Sequence, residues 1–403
     1  MHTLHARSRT LHALLFSGTL ACALQTNAQE LTPELNRRLL TTQQGNIVEL
    51  PGLLTEKLPQ QEYRKIVMPG PQYLISDDPE YIRIPEAIAF REAVEPGTVR
   101  LYVYNVNGVK EPAKIETKIV AVIKNTGKTA MHLRMLKFSS QKPSGNYFQI
   151  GKQGLADYFA STAQSVIRTI KPGEVVAIDP QHEKNIVKYD ELVHGIYEFV
   201  IDQPGEISIV QTDPKTATAK AMERIKTVLP SKSKSGAGRG IFGVSNYQVY
   251  TNATLDTKDG ISQIIVADGK QDPWVLGKES TTGAVATLAG NYGVLYNIDM
   301  KWKSSDGKAL ALVTWNARSD NNQWCGGMAN TMVVSGGKFK EGIIQLPSNQ
   351  LITRKAPEAI LVQVFMPSGN GEEQTIKLTY SPPGASCLPT PLIFIPVDIK
   401  DLK

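Results

Sequence analysis

Residues 230–240 read Pro-Ser-Lys-Ser-Lys-Ser-Gly-Ala-Gly-Arg-Gly, between two long segments patterned as β-structure. The run holds no large apolar side chain. Ser and Gly cost little to leave disordered and offer nothing to bury. Lys232, Lys234 and Arg239 are expected to keep it solvated, so the run is expected to be a flexible linker between two domains. Gly238, Gly240 and Gly243 match G-x-G-x-x-G. That pattern cradles a pyrophosphate only between a strand and a helix. Here coil precedes it and the strand-like Tyr-Gln-Val-Tyr-Thr-Asn-Ala-Thr-Leu of 247–255 follows, so a dinucleotide site is not expected. No aromatic residue is interleaved with the basic ones, which also argues against a nucleic-acid patch.

The chain has 403 residues, enough for two or three domains, and a formal net charge of +6, too mild to imply nucleic acid. Two of its basic residues, Arg7 and Arg9, precede an apolar run at 13–24 that is too short for a membrane span. The first acidic residue is Glu30, and Thr26-Asn27-Ala28 suits a cleavage site. Residues 1–28 are therefore expected to be a signal peptide on an exported protein. Thr19-Leu20-Ala21-Cys22 resembles a bacterial lipobox, with Thr19 where an aliphatic residue is usual, so a lipid anchor at Cys22 is a second reading. No later apolar run reaches the length of a span. Beyond the leader stand Cys325 and Cys387. In an oxidising compartment such a pair is most simply a disulfide, with two unpaired thiols as the alternative.

Residues 29–72 are expected to form an arm. Thr32-Pro33 starts a helix whose Leu35, Leu39 and Leu40 share a face. The arm should pack on a neighbour or on the first domain. Residues 73–212 are expected to form that domain, with strands near 81–84, 99–106, 115–124, 131–138, 174–178, 196–201 and 207–210. A helix at 155–170 interrupts them, carrying Leu155, Tyr158, Phe159, Val166 and Ile170 at helical spacing. A second helix, 213–229, opens on Asp213-Pro214 and closes at Pro230. Residues 213–240 thus make a helix and a Ser/Gly/Lys linker, and residues 241–403 a second β domain. Within it, Asp306-Gly307 and Gly369-Asn370-Gly371 are expected to turn hairpins. The fold class is mainly β: two β-sandwich domains, immunoglobulin-like and jelly-roll-like.

The turns at Asn125-Thr126-Gly127 and Pro172-Gly173-Glu174, with Gly-Ile-Tyr-Glu-Phe-Val-Ile-Asp at 195–202, resemble bacterial immunoglobulin-like sandwiches over roughly 115–210. Gly290-Asn291-Tyr292-Gly293-Val294-Leu295-Tyr296 and the run 391–396 resemble secreted bacterial proteins of unknown function. Some of these are labelled after the N-terminal domain of copper amine oxidases. The resemblance implies a fold and no chemistry. The oxidase cofactor needs Asn-Tyr-Asp/Glu, whereas Asn246-Tyr247 is followed by Gln248 and Asn291-Tyr292 by Gly293.

Three His follow the leader, His132, His182 and His194, far apart and outside any metal-ligand spacing. No nucleophile elbow and no P-loop is present. Acid-bearing turns at 256–260 and 268–272 lack the oxygens and closing Glu of a calcium loop. No catalytic residue, metal or cofactor is therefore expected. The suggestive stretch is 317–330, Ala-Arg-Ser-Asp-Asn-Asn-Gln-Trp-Cys-Gly-Gly-Met-Ala-Asn. Trp324 flanked by Asn321, Asn322 and Gln323, with Trp274 elsewhere, could offer an aromatic face and amides to a sugar; alternatively Trp324 packs on the disulfide. The expectation is an exported envelope or surface protein with a structural, adhesive or protein-binding role. Other envelope proteins or cell-wall glycan would be its partners. A glycan-binding module is the alternative, and an unrecognised secreted hydrolase stands third.

Overall fold

The computed structural model describes residues 31–55, 57–231, 238–279, 281–319, 326–354 and 356–400. The chain is mainly β, with strands in four sheets. In spatial order the four-stranded sheet runs Val175–Ala177, Lys118–Asn125, Gly205–Thr212, Ala87–Val94. The nine-stranded sheet runs Val285–Leu288, Val275–Lys278, Arg239–Phe242, Gln72–Ser76, Gly97–Asn107, Leu192–Ile201, Met131–Ser140, Ile167–Ile170, with Tyr81–Ile82 beside Gly97–Asn107. The seven-stranded sheet runs Tyr63–Met68, Asn246–Thr251, Leu295–Lys303, Gln374–Tyr380, Asn330–Val334, Gly342–Leu346, with Leu255–Asp256 beside Leu295–Lys303. The five-stranded sheet runs Ile47–Glu49, Glu358–Phe365, Ala309–Trp315, Thr390–Val397, Ser262–Val266.

Strand periodicity explains the layering, since alternate side chains leave on opposite faces. In Gly97–Asn107, Val99, Leu101 and Val103 join one core with Phe90, Ile119, Ile123 and Ile207 of the four-stranded sheet. Tyr102, Tyr104 and Val106 point the other way, into a core shared with the seven-stranded sheet. Ala309–Trp315 repeats the pattern. Leu310 and Leu312 enter that same core, while Ala311, Val313 and Trp315 meet Leu35, Leu39 and Leu40 on the outside. A strand buried on both faces reads as a near-continuous apolar run, as Ala309–Trp315 does, while the buried Arg100 and Asn105 interrupt Gly97–Asn107.

Helix α1, Pro33–Thr41, begins where expected: Thr32 Oγ1 accepts the Leu35 amide at 3.3 Å. Its surroundings differ from the expectation. Ile47–Glu49 pairs with Glu358–Phe365, and Tyr63–Met68 with Asn246–Thr251. The arm is built into sheets of the second half, not the first.

Helix α2 runs Tyr147–Ala160, earlier than the expected 155–170. Asn146 caps it by accepting the Gln149 amide, and Ser161 ends it, Oγ donating to the Tyr158 carbonyl at 2.7 Å. Leu155 and Tyr158 are buried, but Val166 is exposed and Ile170 belongs to a strand. The β-branched run Val166-Ile167-Arg168-Thr169-Ile170 suits a pleated edge better than a helix. Helix α3 is also shorter than expected, Thr218–Arg224. Asp213 spends its carboxylate on the Lys215 and Thr216 amides, making a turn before the helix.

Both expected hairpins are turns between sheets. Residues 304–308 lead from Leu295–Lys303 of the seven-stranded sheet to Ala309–Trp315 of the five-stranded one. Residues 366–373 return from Glu358–Phe365 to Gln374–Tyr380 in the opposite sense. The turn chemistry reverses the chain, as Asp-Gly does, but packing across the sandwich decides which sheet receives it.

Residues 232–237 of the expected linker lie outside the described residues, as does the leader with Cys22. The flanks are fixed. Ser231 Oγ donates to the Asp78 carboxylate, and the Gly238 carbonyl accepts the Asp77 amide at 2.7 Å. Arg239, expected to be solvated, is 1% exposed inside a strand paired with Gln72–Ser76. Its charge is met by Glu279 at 3.0 Å, which removes the need for water.

Candidate functional site

Trp274 is half-buried and rests on the turn before it. Asp268 accepts the amides of Lys270 and Asp272 there, and Gly269 has φ +71°. A Cβ at Gly269 would stand 2.4 Å from the Trp274 ring, so only glycine lets the indole lie on this backbone. The acid turn at 268–272 is committed internally. Asp272 is wholly buried, accepts the Ala267 amide and the Tyr296 hydroxyl, and pairs with Lys65.

Trp274 lines a depression of about 310 Å³ with Gly290, Tyr292, Arg318, Ser386 and Leu388. Burial pushes the Tyr292 phenol up to about 12, so it stays a neutral donor and acceptor. Arg318 Nε donates to the Leu388 carbonyl. Cys387 also borders the depression; its amide donates to the Gly327 carbonyl at 3.0 Å, and the Gly327 amide reaches its Sγ at 3.3 Å. Trp274 is thus brought beside both flanks of the polar stretch 317–330. Asn321, Asn322, Gln323, Trp324 and Cys325 lie outside the described residues. Trp302 and Trp315 are core residues.

The three His do not converge into a site. His132 is exposed and 2.7 Å from the Asp202 carboxylate. His182 is buried, Nε2 at 3.2 Å from Ser140 Oγ and 3.1 Å from the Tyr197 hydroxyl. Asp179 lies 3.9 Å from that same nitrogen, while Nδ1 has no hydrogen-bond partner among the described residues. A serine-activating histidine needs its acid on the other nitrogen. Burial lowers the affinity of His182 for a proton. His194, 3.2 Å from the Tyr102 hydroxyl, is pushed down to about 3 by burial. Among the described residues no group of three or more His, Cys, Asp or Glu is placed to hold a metal ion.

Sequence reasoning did not locate the sheet edges. Tyr63–Met68 closes one end of the seven-stranded sheet, hydrogen-bonded on one side to Asn246–Thr251. No strand among the described residues pairs with its other side. Ile66, Val67 and Met68 are 44%, 54% and 40% exposed. Three more edge strands carry exposed apolar side chains: Ile167, Val285 and Ile343. Charge or proline normally blunts such an edge; in Tyr63–Met68 Arg64 and Lys65 do so at one end and Pro69 follows the other, leaving Ile66-Val67-Met68 uncharged between them. The alternation that would have signalled Tyr63–Met68 is broken by Ile66-Val67-Met68, which sits among polar residues and prolines.

No family model matches the chain, and no curated protein matches it. Two solved structures show slight likeness. The CUB1-EGF-CUB2 domain of human MASP-1/3 is 9% identical with a TM-score of 0.19, over 76% of this chain and 100% of that one. The 11S allergen from Cocos nucifera is 8% identical with a TM-score of 0.12, over 79% and 91%. At these scores neither carries an argument about fold or activity. Neither bears on the immunoglobulin-like or amine-oxidase resemblances.

Proposed function

We propose that this chain is an exported envelope or surface protein that works by association and not by catalysis. It would take an extended segment of another envelope protein as an added strand on Tyr63–Met68. The observation that carries this reading is the open edge with Ile66, Val67 and Met68 exposed. Strand addition draws affinity from main-chain hydrogen bonds and specificity from the side chains flanking them. In the same reading residues 1–28 are a removed leader, with a lipid anchor at Cys22 as the variant, and Cys325 pairs with Cys387.

The test is a photo-crosslinking amino acid at Val67 in the producing cells, with Lys110 as the comparison site. One dominant adduct with another envelope protein is expected from Val67 alone. It should be lost when Ile66→Lys is added. Equal yields at the two sites, or an adduct indifferent to Ile66→Lys, would overturn the reading.

A second reading rests on Trp274. Its ring beside Tyr292 in the 310 Å³ depression offers apolar faces and a phenol to a sugar. Loss of binding to isolated cell-wall polysaccharide in Trp274→Ala would favour it over strand addition.

A further inference from the structure

The outer face of the seven-stranded sheet carries a row of side chains in register. Ile66 pairs with Gln248, Gln248 with Asn297, Asn297 with Thr379, Thr379 with Val333, and Val333 with Ile343. Partners in register project from the same face, so these six form one line across six strands. The line is apolar at its ends and carries neutral amides and a hydroxyl in the middle. It runs through a groove of about 650 Å³, within the range of ligand-binding clefts.

The middle of the row holds hydrogen-bonding capacity that the protein does not use. Gln248 Nε2 is buried from solvent and has no partner among the described residues. Thr379 Oγ1 donates to Asn297 Oδ1 at 3.1 Å, which orients the Asn297 amide with its N–H groups turned away from that bond. A buried polar atom left unmet destabilises the fold, a cost that a ligand supplying an acceptor would remove. Asp299 and Lys377 face each other in the next row, and Glu341 stands at the rim. The groove therefore shows no positive excess to draw a polyanion.

We infer that this face binds a neutral polysaccharide chain lying across the strands. Neighbouring strands are spaced about 4.8 Å apart, close to the length one pyranose adds to an extended chain. Each sugar would meet one of Gln248, Asn297 and Thr379 with its hydroxyls, and lay its C–H faces against Val333 and the apolar ends. A peptide would instead run along an edge, where main-chain groups are open. The row shares Ile66 with the Tyr63–Met68 edge and no residue with the Trp274 depression, so its test uses Gln248, Asn297 and Thr379, on which neither other reading rests.

The test is calorimetric titration of the full chain with cellohexaose, maltohexaose and N-acetylchitohexaose, to about 1 mM, the weak end of specific affinity. At least one should bind saturably. The pair Gln248→Ala and Asn297→Ala should weaken it tenfold or more, and Thr379→Val alone by a smaller factor. Trp274→Ala should leave it unchanged. A urea midpoint no lower than the parent's confirms that the variants fold. Absence of binding by all three hexaoses overturns the inference. So does binding that survives the paired substitution, or self-association of the chain that the same substitutions abolish while no hexaose binds.

Discussion

Arg239 and Glu279 form an ion pair 3.0 Å long in which neither side chain is more than 2% exposed. The pair is completed on both sides. Arg239 also donates to the Leu229 carbonyl and to Thr281 Oγ1, and Glu279 accepts the amides of Thr281 and Thr282. These bonds hold the Glu279 carboxyl at about 2 despite burial that opposes its charge.

Glu279→Ala would leave a buried guanidinium without its anion, and is expected to cost about 3–5 kcal/mol in urea unfolding. Glu279 is more acidic folded than unfolded. Its contribution is complete above the unfolded value near 4.5 and is lost as the pH falls through about 2. The variant should therefore show a shallower loss of stability across that interval than the parent.

Lys152, on α2, is 4% exposed and donates Nζ to the carbonyls of Pro347, Gln350 and Leu351 at 2.8–3.1 Å. Lys152→Met keeps the volume and orphans three acceptors. A loss of about 2–4 kcal/mol is expected, read as a lower denaturant midpoint with little change in slope.

His194 lies edge-on to the rings of Tyr102 and Tyr104, and a Cβ on Gly154 would come 2.5 Å from its Cε1. No room is left to hydrate a cation. With a folded value near 3 against 6.5 unfolded, stability present above pH 6.5 drains away as the pH falls toward 3. His182 adds in the same direction. Urea midpoints at pH 7 and pH 5 should differ clearly in the parent and less in His194→Gln.

The pairing proposed for Cys325 and Cys387 predicts a non-reduced mass two hydrogens below the reduced one. On the loop-entropy model its removal costs about 4 kcal/mol. Cys325→Ser with Cys387→Ser should lower stability by that order, with no further effect of reductant. An unchanged mass on reduction would dismiss the bridge.

The β character was legible because β-branched and aromatic residues crowd runs such as 99–106 and 196–201, which fall within Gly97–Asn107 and Leu192–Ile201. Ala87–Val94 was missed because Ala, Glu and Arg dominate it and favour helices when alone; here the nine-stranded sheet on one face and α3 on the other override them. The start of α2 was signalled by Asn146, which a helix pattern beginning at Leu155 overlooked. Trp274 could be nominated as an aromatic, but not its seat on Gly269, which depends on a left-handed turn. The row Gln248–Asn297–Thr379 was invisible, since three polar residues on separate strands acquire meaning only through register.

The strands exchanged between the two halves set an order of assembly. Ile47–Glu49 and Tyr63–Met68, near the start, pair with Glu358–Phe365 and Asn246–Thr251, while Arg239–Phe242 completes the sheet begun by Gln72–Ser76. A chain emerging N-terminus first must therefore carry its early strands unpaired through most of its synthesis. Closing such long loops is slow, because their entropy is lost before any contact rewards it. Until then the apolar edge at Ile66-Val67-Met68 is exposed on two sides instead of one, and the nascent molecule is at its most adhesive before it is whole.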